Sequence, residues 1–271
     1  MQSGTRLETR PDCVDLLVRE ERVVRYLHHA AVPGLATLYA AEHRAVTQPL
    51  FEDGVSLWFG YADLESYAFG EKATVRQGLY RSAGVTARRG SQSVGLQHTC
   101  ECLAPGGRCI LTEVRTLRIQ PGPANGTVLD IRLDLCAPDA QSVTLRRSNR
   151  GLLRLRLASA FASPGGTIRN SAGEYGMDLH QRSAAWCGCI GVVQAETVGL
   201  VILDHPANLA HPPMWNLDPS GTLEINPSYW QDIVIPPGKL VSFRYRLLIH
   251  SGYVEQGWAD LRLREFTSPG S

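Results

Sequence analysis

A loop rich in proline and histidine contains residues that could transfer a proton. Asp204, His205, Asn208 and His211 lie close together in the sequence, and Trp215 follows them. Proline restricts the backbone beside His205 and His211, and the imidazole group titrates near neutral pH. His205 is therefore a candidate general acid or base, with its ring oriented by the Asn208 side chain. The alternative is a structural role, which is the commoner one for a lone histidine in a loop.

A charged pair interrupts an apolar row in the predicted strand at 108–120. Glu113 and Arg115 are two positions apart, so in a strand they share a face with Leu117 and Ile119. Burying a carboxylate and a guanidinium there is costly unless they pair or contact a ligand. Two interpretations stay open: a structural ion pair, or a ligand site in which Glu113 orients an arginine or acts as a base.

Arginine and histidine also alternate with apolar residues in two other predicted strands. The polar positions are Arg154 and Arg156 in one strand, and Ser242, Arg244, Arg246 and His250 in the other. Guanidinium groups bind carboxylate, carbonyl or hydroxyl oxygens. We therefore expect Arg115, Arg156, Arg244 and Arg246 to bind substrate, and His250 to be a second acid-base candidate. The alternative is a polar face that is simply solvated.

Common catalytic and metal-binding motifs are absent from the sequence. It contains no Walker A loop, no G-x-G-x-x-G after a strand, no G-x-S-x-G and no H-E-x-x-H. The cysteine pairs Cys100/Cys102 and Cys187/Cys189 lack the C-x₂₋₄-C spacing that is usual for zinc, so a role in the core is favoured. We expect no metal and no cofactor, and therefore cofactor-free chemistry such as hydrolysis, elimination, isomerisation or cyclisation.

Composition narrows the class of protein. The chain has 271 residues, 44% of them hydrophobic and 20% charged, with a formal net charge of +1. This balance gives no global attraction to nucleic acid or to an anionic membrane. No apolar run is long enough to span a bilayer, and the charged N-terminus does not resemble a signal peptide. The odd number of cysteines argues against a disulfide framework. A cytoplasmic protein with a small-molecule partner is expected, and homo-oligomerisation stays open.

Short apolar runs separated by turn residues predict an all-β fold. The 26 glycines and 16 prolines fit many tight turns. Predicted strands cover 34–40, 55–61, 93–103, 108–120, 127–136, 142–147, 152–160, 198–204 and 240–250. Residues 12–30 fit either a helix or a strand. Without a repeat or a break in composition, we predict one domain made of a large antiparallel β-sandwich.

Several motifs resemble the PmoA-like family, often labelled methane oxygenase PmoA. They are Gly165-Gly166 with Asn170-Ser171, Asp204-His205-Pro206-x-Asn208 with Trp215, Asn226-Pro227, and Arg244-Tyr245-Arg246 with His250; Trp58-Phe59-Gly60 matches more weakly. The resemblance runs from about Val23 to Tyr253. It implies an N-terminal extension at 1–22, a PmoA-like domain at 23–265 and a C-terminal tail at 266–271. It also implies a galactose-mutarotase-like supersandwich whose concave sheet holds a sugar-like ligand.

The resemblance also suggests where the ligand would be contacted. It implies that Asn170, Asn208, Trp58 and Trp215 contact the ligand, the two tryptophans by stacking. We expect Glu113, Arg156, Arg244 and His250 to point into one pocket.

One segment departs from the family pattern. Family members carry an Asp-His-Pro-His-His-Arg-Gly stretch where this chain has Leu50-Phe51-Glu52-Asp53-Gly54-Val55-Ser56. The loss of the histidines means that the family's activity does not transfer. The leading hypothesis is an enzyme for a polar or glycosylated small molecule, for example in secondary metabolism. The alternatives are a non-catalytic protein that binds a sugar-like ligand, and a purely internal ion network.

Overall fold

Antiparallel strands make up most of the structure, a computed structural model that describes residues 4–70, 76–123, 125–162, 166–253 and 256–267. Helix is limited in this part of the chain to α1 (Ser159–Ala162), α2 (Gln256–Thr267) and two single 3₁₀ turns, at Ala41–His43 and Gly176–Leu179. The prediction of an all-β fold is confirmed, and residues 12–30 are strands rather than a helix.

The structure contains 24 strands in its described residues, numbered here in chain order. The first half contains β1 (Thr5–Thr9), β2 (Cys13–Val18), β3 (Glu21–Leu27), β4 (Gly34–Leu35), β5 (Tyr39–Ala40), β6 (Arg44–Ala45), β7 (Leu57–Phe59), β8 (Tyr61–Leu64), β9 (Tyr67–Phe69), β10 (Arg76–Gln77), β11 (Leu79–Arg89) and β12 (Val94–Leu103). The second half contains β13 (Cys109–Pro121), β14 (Thr127–Cys136), β15 (Val143–Leu145), β16 (Leu153–Arg156), β17 (Thr167–Asn170), β18 (Arg182–Ser183), β19 (Trp186–Val193), β20 (Glu196–Asp204), β21 (Met214–Leu217), β22 (Thr222–Asn226), β23 (Ile233–Ile235) and β24 (Leu240–Ser251).

Two large antiparallel sheets form the sandwich. The nine-stranded sheet has the order β1-β2-β3-β4-β7-β16-β22-β21-β18, and the eight-stranded sheet has the order β11-β12-β13-β14-β24-β20-β19-β17. A five-stranded sheet, β10-β9-β8-β15-β23, follows from the nine-stranded sheet where β7 passes into β8 through Gly60. Strands β5 and β6 form a separate pair.

The common core lies between the inner faces of these sheets. In β14, Leu129, Ile131, Leu133 and Leu135 are buried in the core, whereas Arg132 is exposed on the other side. This follows from the two-residue period of a strand. Each buried leucine or isoleucine contributes roughly 1.5–3 kcal/mol to folding through removal of apolar surface from water.

The N-terminal residues belong to the sandwich. Strands β1 and β2 pair with each other, and β2 pairs with β3, so that Leu7, Val14 and Leu16 enter the common core. The predicted extension at 1–22 is therefore wrong as a domain boundary. The strands in this segment were hard to predict because charged residues alternate with its apolar ones. Asp15, for example, lies between Val14 and Leu16 and accepts two hydrogen bonds from the Arg25 guanidinium, at 2.7 and 2.8 Å.

Helix α2 builds a second, smaller core on the outer face of the eight-stranded sheet. Phe266 packs there with Leu203 and Leu248, and Trp186 Nε1 donates to Asp260 Oδ1 at 2.8 Å. The predicted tail at 266–271 therefore begins inside a packed helix, while 268–271 lie outside the described residues. In the part of the chain that the structure describes, no helix is long and apolar enough to cross a membrane.

Candidate functional site

A pocket of about 510 Å³ lies on the outer face of the nine-stranded sheet. Its described lining consists of Leu50, Phe51, Glu52, Trp58, Gly70, Arg150 and Arg154. Trp58 and Arg154 point away from the core because their neighbours in β7 and β16 point into it. The volume lies within the range of about 300–1,000 Å³ that is typical of small-molecule sites.

The floor of the pocket belongs to a row of residues that crosses five strands. In register, Gly34 of β4 faces Trp58 of β7, Trp58 faces Arg154 of β16, Arg154 faces Glu224 of β22, and Glu224 faces Asn216 of β21. Residues that face each other across antiparallel strands are on the same side of the sheet. The row therefore runs from an aromatic side chain through a cation and a carboxylate to an amide.

Arg154 is fixed in the floor by the turn that precedes its strand. Its Nε donates to the Gly151 carbonyl oxygen at 2.6 Å, and the side chain is fully buried. The guanidinium lies against Gly60, where a Cβ atom would come within 3.3 Å of Arg154 Cζ and 3.0 Å of the Phe69 carbonyl oxygen. Glycine at position 60 thus leaves room for the guanidinium beneath the pocket.

Arg150 is held at the rim by a buried carboxylate. Glu224 Oε1 lies 3.0 Å from Arg150 Nη2, and Glu224 Oε2 accepts a hydrogen bond from the Gly151 backbone N–H at 2.8 Å. Asn216 Nδ2 donates to the Asn149 carbonyl oxygen at 2.7 Å. These contacts position the 149–151 turn, so the exposed Arg150 side chain is placed by rigid strands rather than by a loose loop.

The opposite end of the pocket carries its apolar side chains, with the exposed Glu52 carboxylate next to Phe51 in the sequence. Trp58 is 1% exposed and donates from Nε1 to the Gly70 carbonyl oxygen at 3.0 Å. The Phe51 ring packs edge-on against it at 4.9 Å between centroids, and Leu50 is 44% exposed beside them. Trp58 thus borders the pocket, mostly as its floor. Phe51, which the sequence analysis did not select, is the aromatic ring with more open surface.

Glu113 and Arg115 lie in the core between the sheets, fully buried. Arg115 donates from Nε to Glu113 Oε2 and from Nη1 to the Pro33 carbonyl oxygen, both at 2.6 Å. The Cys102 thiol donates to Glu113 Oε1 at 3.3 Å, and the guanidinium lies 5.2 Å from the centre of the Phe59 ring. Of the two interpretations, a structural ion pair or a ligand site, the structure shows the ion pair. Neither residue borders the described pocket.

Polar groups surround this pair without opening it to solvent. Tyr26 Oη and His98 Nδ1 are hydrogen-bonded at 2.7 Å, and His98 Nε2 and Ser82 Oγ at 3.0 Å. Burial, helped by the charge of Arg115, lowers the pKa of His98 to about 3. Burial also raises the pKa of the Cys100 thiol to about 12. Among the described residues, no three His, Cys, Asp or Glu side chains gather as a metal site.

The predicted convergence of Glu113, Arg156, Arg244 and His250 is wrong. Glu113 faces the core, whereas Arg244 and His250 lie on the opposite side of the same eight-stranded sheet. Arg156 belongs to the other sheet, where its Nη1 donates to Ser220 Oγ at 2.8 Å. Alternation within each strand was correctly predicted, but it does not say which sheet a strand joins or which side faces the core.

Arg246 and His250 are enclosed beneath helix α2. Arg246 donates to both carboxylate oxygens of Asp130, at 2.6 and 3.0 Å, and its guanidinium lies 4.5 Å from the centre of the Phe266 ring. His250 is 1% exposed, with its ring 5.4 Å from that of Trp258. Both side chains pack the helix onto the sheet, and neither borders the described pocket.

The proline-rich loop is arranged differently from the prediction. Asn208 does not orient the His205 ring: its Nδ2 donates to Asp204 Oδ1 at 2.7 Å and to the Arg244 carbonyl oxygen at 2.8 Å. Asp204 Oδ2 pairs instead with His211 Nδ1 at 2.7 Å. His205 Nδ1 accepts the Ala207 N–H at 3.0 Å. Burial raises the pKa of Asp204, and the hydrogen bonds from His211 and Asn208 partly oppose this.

Trp215 and Asn170 stabilise local structure. Trp215 is fully buried on the inner face of the nine-stranded sheet and donates from Nε1 to the Ala184 carbonyl oxygen at 2.8 Å. Asn170 Oδ1 accepts the backbone N–H groups of Ala172 and Glu174, each at 3.0 Å. Neither side chain borders the described pocket, so the stacking role expected of Trp215 is not supported.

Of the described residues that line the pocket, only Trp58 was among the predicted site residues. The sequence-based prediction treated Leu50, Phe51 and Glu52 only as the segment that lacks the family's histidines, although these residues line the site. It chose Arg156 over Arg154, which shares the same strand face two positions away. The predicted strand at 152–160 was centred on Arg156, so no signal in the sequence favoured Arg154. In the structure the strand ends at Arg156, and Arg154 lies inside it.

The chain matches one family model and is similar to solved structures of low sequence identity. A family model described as a family of unknown function (DUF6807) matches residues 13–261. No curated protein matches the chain.

The solved structures to which the chain is similar are much longer than it is. A TPR-domain containing protein from Parabacteroides distasonis ATCC 8503 is 9% identical over 96% of this chain and 49% of its own, with a TM-score of 0.45. A glycoside hydrolase family 97 enzyme from Pseudoalteromonas sp. strain K8, in complex with acarbose, is 10% identical over 91% of this chain and 35% of its own, with a TM-score of 0.42. The chain thus spans about half or less of the length of these proteins.

We expect substitution of only one residue of the Glu113–Arg115 pair to lower the free energy of unfolding strongly. Glu113→Gln or Arg115→Met leaves the other charge buried, so each variant should lose about 3–5 kcal/mol of unfolding free energy. The double variant Glu113→Leu/Arg115→Met should lose less than either, because it leaves no buried charge. Urea denaturation of the purified variants measures this. Losses below about 1 kcal/mol for the single variants would contradict a tightly coupled buried pair.

Acidification is expected to weaken the packing around His250. Burial lowers the pKa of His250 in the folded state, whereas a histidine in the unfolded chain titrates near about 6.5. Below that pH the unfolded state binds the extra proton, so stability falls by up to about 1.4 kcal/mol per pH unit. His250→Asn should reduce this slope in urea denaturation from about pH 7 to about pH 5. Exposed His43→Asn is the matched control, and equal slopes in both variants would refute the assignment.

Proposed function

The chain belongs to the family of unknown function DUF6807, and we propose that it binds a neutral, polyhydroxylated small molecule in the pocket on the outer face of the nine-stranded sheet. The observation that supports this most is the combination of an aromatic floor with arginine and carboxylate side chains on one rigid sheet face. Sugars and glycosides have the matching chemistry: hydroxyl groups around the edge of a ring and apolar C–H groups on its faces.

The charges around the pocket favour a neutral ligand over an anion. Arg150 and Arg154 are positive, and Glu52 on the lining and Glu224 behind it are negative. These four described side chains therefore balance. An anionic ligand would gain from the arginines but would be repelled by the carboxylates, whereas a hydroxyl group can accept a hydrogen bond from a guanidinium and donate one to a carboxylate.

Rigid positioning supports selective binding. Arg154 is anchored to the Gly151 carbonyl oxygen, and Arg150 is anchored to Glu224. Side chains that are already ordered lose little conformational entropy when a ligand arrives. A site that hydrogen-bonds hydroxyl groups also rejects ligands that lack them, because its polar groups would then stay unpaired.

Loss of one rim arginine should weaken sugar binding. Arg150→Gln removes a guanidinium that can donate to ligand hydroxyls, and we expect about a tenfold rise in the dissociation constant, equivalent to roughly 1.4 kcal/mol. Arg147→Gln, an exposed arginine in the same segment, is the matched control. Isothermal titration calorimetry with a panel of neutral methyl glycosides measures the effect. Absence of binding by the unaltered protein, or equal affinities in both variants, would contradict the proposal.

Turnover of the bound molecule is a second candidate function. Glu52 is an exposed carboxylate on the pocket lining and could transfer a proton to or from a ligand oxygen without any cofactor. Hydrolysis, elimination, isomerisation and cyclisation of a glycosylated substrate are reactions of this kind. The histidines first considered for this role, His205 and His250, pack against α2 instead.

Glu52→Gln should separate binding from turnover. With glycosides that bind, we expect mass spectrometry to detect product from the unaltered protein and from Asp53→Asn. Product should fall by at least about 100-fold in Glu52→Gln, because an amide cannot accept or release the proton. Binding of the same glycosides by Glu52→Gln, measured by calorimetry, would show that the site is intact. Unchanged product formation in this variant would exclude Glu52 as the acid-base group.

A further inference from the structure

The polarity of the pocket changes along one direction. Its apolar side chains, Leu50, Phe51 and Trp58, are at the end formed by β7 and the segment before it, where the exposed Glu52 carboxylate borders them. Its charged rim residue Arg150 is at the other end, held by Glu224 of β22. A ligand that was polar all round would leave the apolar end without a complementary surface.

The apolar end is held open by its backbone. The Leu50 N–H donates to the Val55 carbonyl oxygen at 2.9 Å, and the Gly54 N–H donates to the Phe51 carbonyl oxygen at 3.0 Å. This closed turn keeps Leu50 44% exposed beside Phe51 rather than folded into the core. Apolar surface that the fold holds toward a pocket gains free energy when a ligand covers it.

The length of the row exceeds a single sugar ring. Trp58 and Glu224 are two strand positions apart in the nine-stranded sheet, with β16 between them. Neighbouring strands are about 4.8 Å apart, so the two residues are separated by about 10 Å across the sheet. Glu224 lies behind the lining and holds Arg150, which borders the pocket. A pocket of about 510 Å³ between Trp58 and Arg150 has room for a sugar ring joined to one further ring.

We infer that the ligand is an amphipathic glycoside. Its sugar lies toward Arg150 and Glu224, and its apolar aglycone, an aromatic or similarly flat group, lies against Leu50, Phe51 and Trp58. This inference rests on the proposed function and names the class of ligand for the same pocket. It predicts that affinity depends on both halves of the ligand and that each half is recognised by a different end of the site.

Matched pairs of ligands test the inference. Methyl and 4-nitrophenyl β-glycosides of glucose, galactose and xylose differ only in the aglycone within each pair, and 4-nitrophenol supplies the aglycone alone. Calorimetry with the full chain should give at least a tenfold lower dissociation constant for the 4-nitrophenyl member of a binding pair. Leu50→Ala and Phe51→Ala should each reduce the ratio of the methyl glycoside's dissociation constant to that of the 4-nitrophenyl glycoside. Leu209→Ala, an equally exposed leucine elsewhere, should leave it unchanged.

The outcomes separate the inference from the proposed function. Equal affinities within every binding pair would overturn the inference and leave sugar binding intact. An aryl preference that persists in both Leu50→Ala and Phe51→Ala would also overturn it, because the aglycone would then lie elsewhere. Binding of 4-nitrophenol as tight as that of its glycosides would show that the sugar is not recognised. If no glycoside binds, the proposed function itself fails.

Discussion

Burial of one face of each large sheet in a common core is the constraint on which this structure depends. Every strand alternates, so once Leu129 or Leu155 enters the core, its neighbours must point the other way. The sandwich thereby gains two outer faces that carry most of its polar side chains. The Glu113–Arg115 pair, with His98 beside it, lies on an inner face instead, and its pairing inside the core satisfies two charges that would otherwise oppose folding.

The two outer faces are completed in different ways. On the eight-stranded sheet, helix α2 covers part of the surface and packs Phe266 onto Arg246 and His205. On the nine-stranded sheet, short segments at 50–52 and 149–151 surround the middle strands instead and leave a pocket. Covering one face contributes to stability, while the other face keeps an open pocket beside its polar row.

Alternation was therefore the part of the fold that could be predicted from sequence. It identified the strand at 127–136 with its true bounds and placed Glu113 and Arg115 on one face. It could not tell that this face is internal, because a buried pair and a ligand site leave the same pattern. Helix α2 and strand β1 were missed, and the region of β2 was left open between helix and strand, because charged residues break up their apolar positions. The pocket depends on register between strands far apart in the chain, such as β7 with β16 and β16 with β22.

Gly60 lies both at the junction of two sheets and against the pocket residue Arg154, so substitutions at this position are restricted. It is the residue at which the chain leaves the nine-stranded sheet for the five-stranded one, and the residue over which the Arg154 guanidinium lies. Any side chain there would press on both the Phe69 backbone and Arg154. Changes to the pocket lining are therefore directed to the segment at 50–52, where Leu50, Phe51 and Glu52 can vary without disturbing the junction of the two sheets.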